Sequence, residues 1–414
     1  MPQFRLSHLA IAAAFVGLNV ATTLIPGAST AYAAEAVKDA VGKPLKEAQA
    51  DVKSGKYKEA LAKIHEAESA SSHSAYETYL IEFTRAGAAQ GAHDYGTMAK
   101  AYEAVLATGQ ASPAQSKQIA GSLGGLYVNL GEYPKAILWL TRAQGEGDGS
   151  VRPALIDAYY RSGDKARAFK EVSADIQAEE KAGRSPSTEQ LQMLLTCAKD
   201  MSDKNVYLSA LEKNAAYHPS KEIWASLLNR LASKPGFSSR LEVDTLRLRL
   251  QLGTITTDQD YMNLIQSTMN AGFPAESKRI IDVAYKTGVF GTGAEAARQK
   301  RMQDAITKGL ADDAKAMPKT EADATKNNDD NVLAVVGYDY VTLGQFDKGI
   351  AMIERAIASG NLKHPDDEKI HLAQAYLLAG KKAQALKTLK GVQGSDGTAD
   401  LARYWTMAIN HPLS

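Results

Sequence analysis

A short turn recurs along this chain about every three dozen residues, each time between two stretches whose small and apolar residues share one helical face. The clearest copy is Leu130-Gly131-Glu132-Tyr133-Pro134-Lys135-Ala136. Ahead of it, residues 119–130 put Leu123, Gly124 and Tyr127 on one face. Behind it, Ala136, Leu140 and Ala143 follow at steps of four and three. Apolar residues at that spacing form a stripe along an α-helix. Each residue has a physical reason to be there. Gly131 permits the turn, Gly124 and Ala136 let two helix backbones approach, and Tyr127 and Leu140 fill the space between them.

The motif returns elsewhere. Gly55-Lys56-Tyr57 is preceded by Ala48 and followed by Ala60, Ile64 and Ala67. Leu155 and Tyr159 precede Gly163-Asp164, and Ala168 and Val172 follow. Val336, Gly337 and Tyr340 precede Gly344-Gln345-Phe346, with Gly349, Ile353 and Ala356 after it. Leu372, Ala373 and Tyr376 precede Gly380, with Ala385 and Leu389 after it. A looser copy turns at His93-Asp94-Tyr95, ahead of Met98 and Tyr102. Weaker copies turn at Pro235-Gly236, after Trp224 and Leu227, and at Gly272, between Leu264-Ile265 and Ile281. Ser202 and Gly309 are turn positions supplied by the period alone. The turns at 55, 93, 131, 163, 202, 236, 272, 309, 344 and 380 lie 32 to 39 residues apart.

The pattern Leu-Gly-x2-Tyr, then Gly-x-Tyr-x2-Ala, then Ala resembles the signature of the tetratricopeptide-repeat (TPR) superfamily, whose unit is about 34 residues. The resemblance implies an all-α fold in which antiparallel helix pairs stack into a right-handed superhelix with a concave face and a C-terminal capping helix. The chain then divides into a segment at 1–33 that reads as a signal peptide, and a repeat array at 34–316 with four clear and several degenerate copies. A polar linker follows at 317–331, then a C-terminal TPR pair at 332–397 and a capping helix with its tail at 398–414. The linker reading rests on the run from Met317 to Asn331, which beyond its alanines has one apolar side chain. The cap places Leu401, Tyr404, Trp405 and Ala408 on one stripe.

The amino-terminal segment reads as an export signal. Arg5 is its one charge, an apolar stretch runs from Leu9 to Val20, Pro26-Gly27 break the helix, and Ala31-Tyr32-Ala33 sets small residues at the recognition positions. Cleavage before Ala34 and a periplasmic location are the expectation. Without Arg5 the chain carries 47 Lys+Arg against 47 Asp+Glu, a balance that gives no electrostatic footprint for nucleic acid or an anionic membrane surface. Cys197, the single cysteine, excludes an internal disulfide and, by its position, a lipid anchor at the end of the signal.

Motifs that carry chemistry are not found. No Gly-rich loop ends in Gly-Lys-Ser/Thr, and Gly288-x2-Gly291-x-Gly293 reads as an interhelical loop. The seven histidines beyond the signal include no i,i+4 pair, no Cys-x2-Cys exists, and the Asp/Asn cluster at 323–331 lacks the glycine and closing glutamate of a calcium loop. Cys197 falls on an apolar face, where cysteine behaves as a small hydrophobe. No cofactor, metal or catalytic set is expected.

The resemblance implies that first-helix residues line the concave face. In the better copies these are Gln49 and Lys53, Asn129, Asp157, Tyr160 and Arg161, Tyr338, and Gln374. They differ from the lysine-and-asparagine clamp with which some TPR domains hold a terminal carboxylate, and a mixed polar and aromatic lining suits an extended peptide or a partner helix. The expected function is an exported scaffold or adaptor for a protein or peptide partner. The alternatives are an accessory of envelope polysaccharide or cell-wall assembly, or of energised outer-membrane transport, and an enzyme whose site is not visible as a motif.

Overall fold

A computed structural model describes residues 37–413. The expected signal segment and its cleavage site lie outside the described residues. These form twenty α-helices in series with no strand, and none of the helices is long and apolar enough to cross a membrane. Most join as helix–turn–helix pairs, a TPR-like all-α fold. At nine of the ten turns read from the sequence the backbone takes a positive φ. Glycine holds seven of them; His93 and Ser202 reach φ 58° and 59°, which costs an L side chain about 1 kcal/mol. The tenth, Gly309, is no turn.

The chain forms two compact units, divided after Gln177. The first contains α1 (Asp39–Lys53), α2 (Tyr57–Glu68), α3 (Ala75–Gly91), α4 (Tyr95–Ala107), α5 (Pro113–Asn129), α6 (Tyr133–Gly145), α7 (Arg152–Arg161) and most of α8 (Lys165–Lys181). Ser74 and Ser112 start α3 and α5 with full capping boxes, closed by Glu77 and Gln115. The small residues do what the motif asks: Ala48, Ala60, Ala136 and Ala168 are buried, and a Cβ on Gly124 would lie 2.3 Å from Leu140.

The second unit continues with α9 (Thr188–Asp200), α10 (Lys204–Tyr217), α11 (Lys221–Ala232), α12 (Glu242–Gln251), α13 (Asp258–Asn270), α14 (Pro274–Lys286) and α15 (Ala296–Asn327). It ends with α16 (Asp330–Thr342), α17 (Phe346–Ser359), α18 (Pro365–Leu378), α19 (Lys382–Leu389) and α20 (Thr398–Asn410). α16 crosses α17 backbone to backbone, where a Cβ on Gly349 would sit 2.2 Å from the Gly337 carbonyl oxygen. One apolar cluster joins Trp224, Leu227 and Leu248 to Tyr338, Ile353, Ile370 and Trp405. The last repeats therefore pack back onto α10–α14.

Here the structure differs from the linker reading of 317–331. α15 runs straight through Gly309 and on to Asn327, and the chain turns at Asn328 with φ 51°. Alanine, lysine and glutamate are strong helix formers, so a polar run need not be loose. Met317 and Ala324 are buried, Met317 against Leu333 and Val336, while Glu321 accepts from the Tyr340 hydroxyl at 2.6 Å and pairs with Lys348 at 2.7 Å. The glycine-rich stretch at 288–293 is a loop between α14 and α15, tied down by the Gly291 amide donating to Gln299.

Candidate binding cleft

The candidate site is a cleft of about 540 Å³ in the second unit, lined by α12, α14, α16, α18 and α20. α12 supplies Arg247 because its buried face, with Leu248 in the helix and Leu241 and Leu252 flanking it, also includes the i,i+3 pair Asp244 and Arg247. α14 starts on Pro274 at its first turn, turns Ile280, Ile281 and Ala284 into the core, and presents Glu276 to Arg247. Tyr338 comes from α16, Gln374 and His371 from α18, and Trp405 from α20.

The floor is a saturated ionic network. Arg247 donates Nε to Glu276 Oε1 at 3.0 Å, Nη2 to Glu276 Oε2 at 2.6 Å and Nη1 to Asp244 Oδ1 at 2.8 Å. Asp244 also accepts from Gln374 Nε2 at 3.0 Å and lies 3.2 Å from His371 Nε2, whose Nδ1 is 3.1 Å from Glu368. The Tyr338 hydroxyl donates to Gln374 Oε1 at 2.9 Å. The Arg247 guanidinium stacks over the rings of Tyr338 and Phe273, 4.7 and 5.2 Å from their centroids. Burial opposes charge on His371, but Asp244 and then Glu368 overcome it and hold the imidazolium up to about 10. Burial likewise resists the Asp244 charge, yet His371 and Arg247 keep its carboxyl well below the usual range. Burial drives the Tyr338 hydroxyl well above its usual value. Near neutral pH His371 is therefore charged and the Tyr338 hydroxyl keeps its proton as a donor to Gln374.

The rim differs from the floor. Arg279 is exposed and forms no ion pair or hydrogen bond with any described residue. Val283 and Leu378, which line the same cleft, are 40% and 38% exposed, unusual for large hydrophobic side chains among the described residues. Leu250, Ile280 and Leu377 complete the apolar wall. Trp405 is buried in the wall, and its indole N–H has no hydrogen-bond partner among the described residues.

A second cavity, of about 300 Å³, lies between α15 and α16 and contains Asp313 and Asp339. Burial, then the neighbouring Asp313 carboxyl, pushes Asp339 up to about 8, so the pair holds a proton at neutral pH.

The residues expected on a concave face are distributed unevenly. Tyr338 and Gln374 come together through their own hydrogen bond, but as a buried floor, because α12 and α14 cover that face. Asp157 is buried too, paired with the exposed Arg161 at 2.8 Å. Tyr160 and Gln49 are half-buried, the latter donating to Thr84 at 3.5 Å, whereas Lys53 and Asn129 stand exposed. Sequence reasoning missed Asp244, Arg247, Glu276 and Arg279. The available signal was Asp244 and Arg247 on the same face as Leu241 and Leu248, a charge pair set in an apolar stripe. Cys197 is buried in α9.

No family model and no curated protein matches the chain. Among solved structures, Naa15/Naa10 bound to HypK-THB aligns over 88% of this chain at 16% identity, with a TM-score of 0.38. The chain spans about two thirds (65%) of the length of that one.

Proposed function

We propose that the chain is an exported, periplasmic helical-repeat scaffold that holds a protein or peptide partner and catalyses no reaction. The observation that carries this reading is the contrast within the cleft. Every buried charge in the floor is compensated internally, while the rim leaves a cation and large apolar side chains open. Concave sites with apolar walls and a few polar groups are where ligands bind. A floor already saturated by its own ion pairs supports rigidity more than chemistry. Export rests on the residue pattern of the first 33 positions, and the absence of chemical motifs in the sequence supports a non-catalytic role.

A photo-cross-linking amino acid placed in turn at Val283, Leu378, Tyr160 and Asn129 tests the reading in cells. A discrete protein adduct from the cleft positions is expected, and amino-terminal sequencing of the periplasmic product should begin at Ala34. No adduct from any of the four positions, together with turnover of a substrate by the purified chain alone, would overturn it.

A further inference from the structure

We infer that the segment seated in this cleft is acidic and apolar: a short partner peptide whose Asp or Glu side chain pairs with Arg279 while neighbouring apolar side chains pack on Val283, Leu378 and Leu377. The inference rests on the scaffold reading above and adds the chemistry of the occupant.

Two of the three charged residues lining the cleft are spent on each other. Glu276 takes both of its carboxylate oxygens to Arg247, which also reaches Asp244. Arg279 sits one turn along α14 from Glu276 and is left without a partner among the described residues. It is always protonated, so the rim presents a fixed positive charge. Ile280 and Val283 lie beside it on the same helix, and Leu377 and Leu378 come from α18. An occupant that meets both features carries its carboxylate about one helical turn from its apolar side chains, the i,i+3 or i,i+4 arrangement of an amphipathic segment. The cleft's volume of about 540 Å³ admits a few side chains, not a folded domain. A nucleic acid is disfavoured because a lone cation beside a carboxylate and an apolar wall makes no basic stripe.

The test selects binders from a phage-displayed library of random peptides on the signal-free chain and on its Arg279→Glu variant. Wild type is expected to enrich peptides with apolar residues and an Asp or Glu three or four positions away. Arg279→Glu should weaken a selected peptide about tenfold or more, and replacing that peptide's acid with lysine should restore binding to the variant. Of the three tryptophan indole N–H resonances, assigned with Trp405→Phe, that of Trp405 should move on titration while that of Trp139 stays. Binders without acid enrichment, affinity indifferent to Arg279→Glu, or a shift confined to Trp139 would sink the inference. So would saturable binding of laurate, a free apolar carboxylate, with no peptide selected. Cross-linking of a protein through Val283 that ignores Arg279→Glu would leave the scaffold standing and remove only the acidic occupant. No adduct and no selected peptide would remove both.

Discussion

The two units use the same helical pair to different ends. In residues 37–177 the side-chain ties between helices, from Lys38–Glu77 to Arg152–Asp175, join partners at most 39 residues apart, about one repeat. In the second unit such ties reach much farther. Arg240 holds Asp367 and Asp396, Lys234 pairs with Asp400, and the Tyr404 hydroxyl donates to Glu212 at 2.9 Å across 192 positions. Nearest-neighbour stacking makes stability a sum over repeats. Closing the array on itself makes distant repeats depend on one another. It also buries charge, since the few polar groups on the faces that meet, Asp244 and Arg247 among them, are compensated in place.

The comparison can be broken most decisively by deletion. Removing α20 strips Leu401, Tyr404 and Trp405 from the core beside Trp224, a loss of about 5 kcal/mol or more. Amide hydrogen exchange should then quicken in α10 and α11, nearly two hundred residues away. Quickening confined to α18 and α19 would show that the second unit is as local as the first.

The next effect separates buried from half-exposed charge. Arg247→Met leaves Glu276 and Asp244 without their shared cation and should cost about 3–5 kcal/mol in urea unfolding. Arg152→Met, which breaks two ion pairs near the surface of the first unit, should cost under about 1 kcal/mol. Similar losses would erase the distinction.

Close approach supplies a third contrast. Gly349→Ala drives a Cβ into the Gly337 carbonyl and should destabilise by about 1–3 kcal/mol. Gly125→Ala meets nothing within 4 Å on α5 and should stabilise by roughly 0.5 kcal/mol through helix propensity. Paired thermal melts decide it.

Titration gives the smallest contrast. The Asp339 carboxyl is raised in the native state, so the stability it contributes is complete below its unfolded value near 3.8 and is lost as pH rises to about 8. Asp339→Asn should remove that slope and melt higher than wild type at pH 8, by about 1 kcal/mol or more. His371, held up to about 10, contributes stability that is complete below its unfolded value near 6.5 and lost as pH rises through 10. A wild-type profile parallel to that of Asp339→Asn from pH 4 to 8 would show that no proton is shared with Asp313.

Much of the fold was legible because its signals are local. Gly55, Gly131, Gly344 and Gly380 mark turns by their access to positive φ, and Ala136 or Gly349 mark crossings by their small size. The segment at 317–331 misled because its polarity resembled that of a linker, while its helix is held by a few buried contacts around Met317. The site was less legible. Tyr338 and Gln374 fall at concave positions of their repeats, but nothing near them in sequence announces that α12 and α14 cover that face.

The sequence alone determined the helix pairs, the turns and the residues that let helices meet, since these follow from backbone preference and from neighbours three or four positions away. The tertiary structure alone decided which polar groups are buried and which cation is left over. Arg247 and Arg279 are both arginines on helices, and only the distant carboxylates folded against the first make it part of the floor and leave the second at the rim.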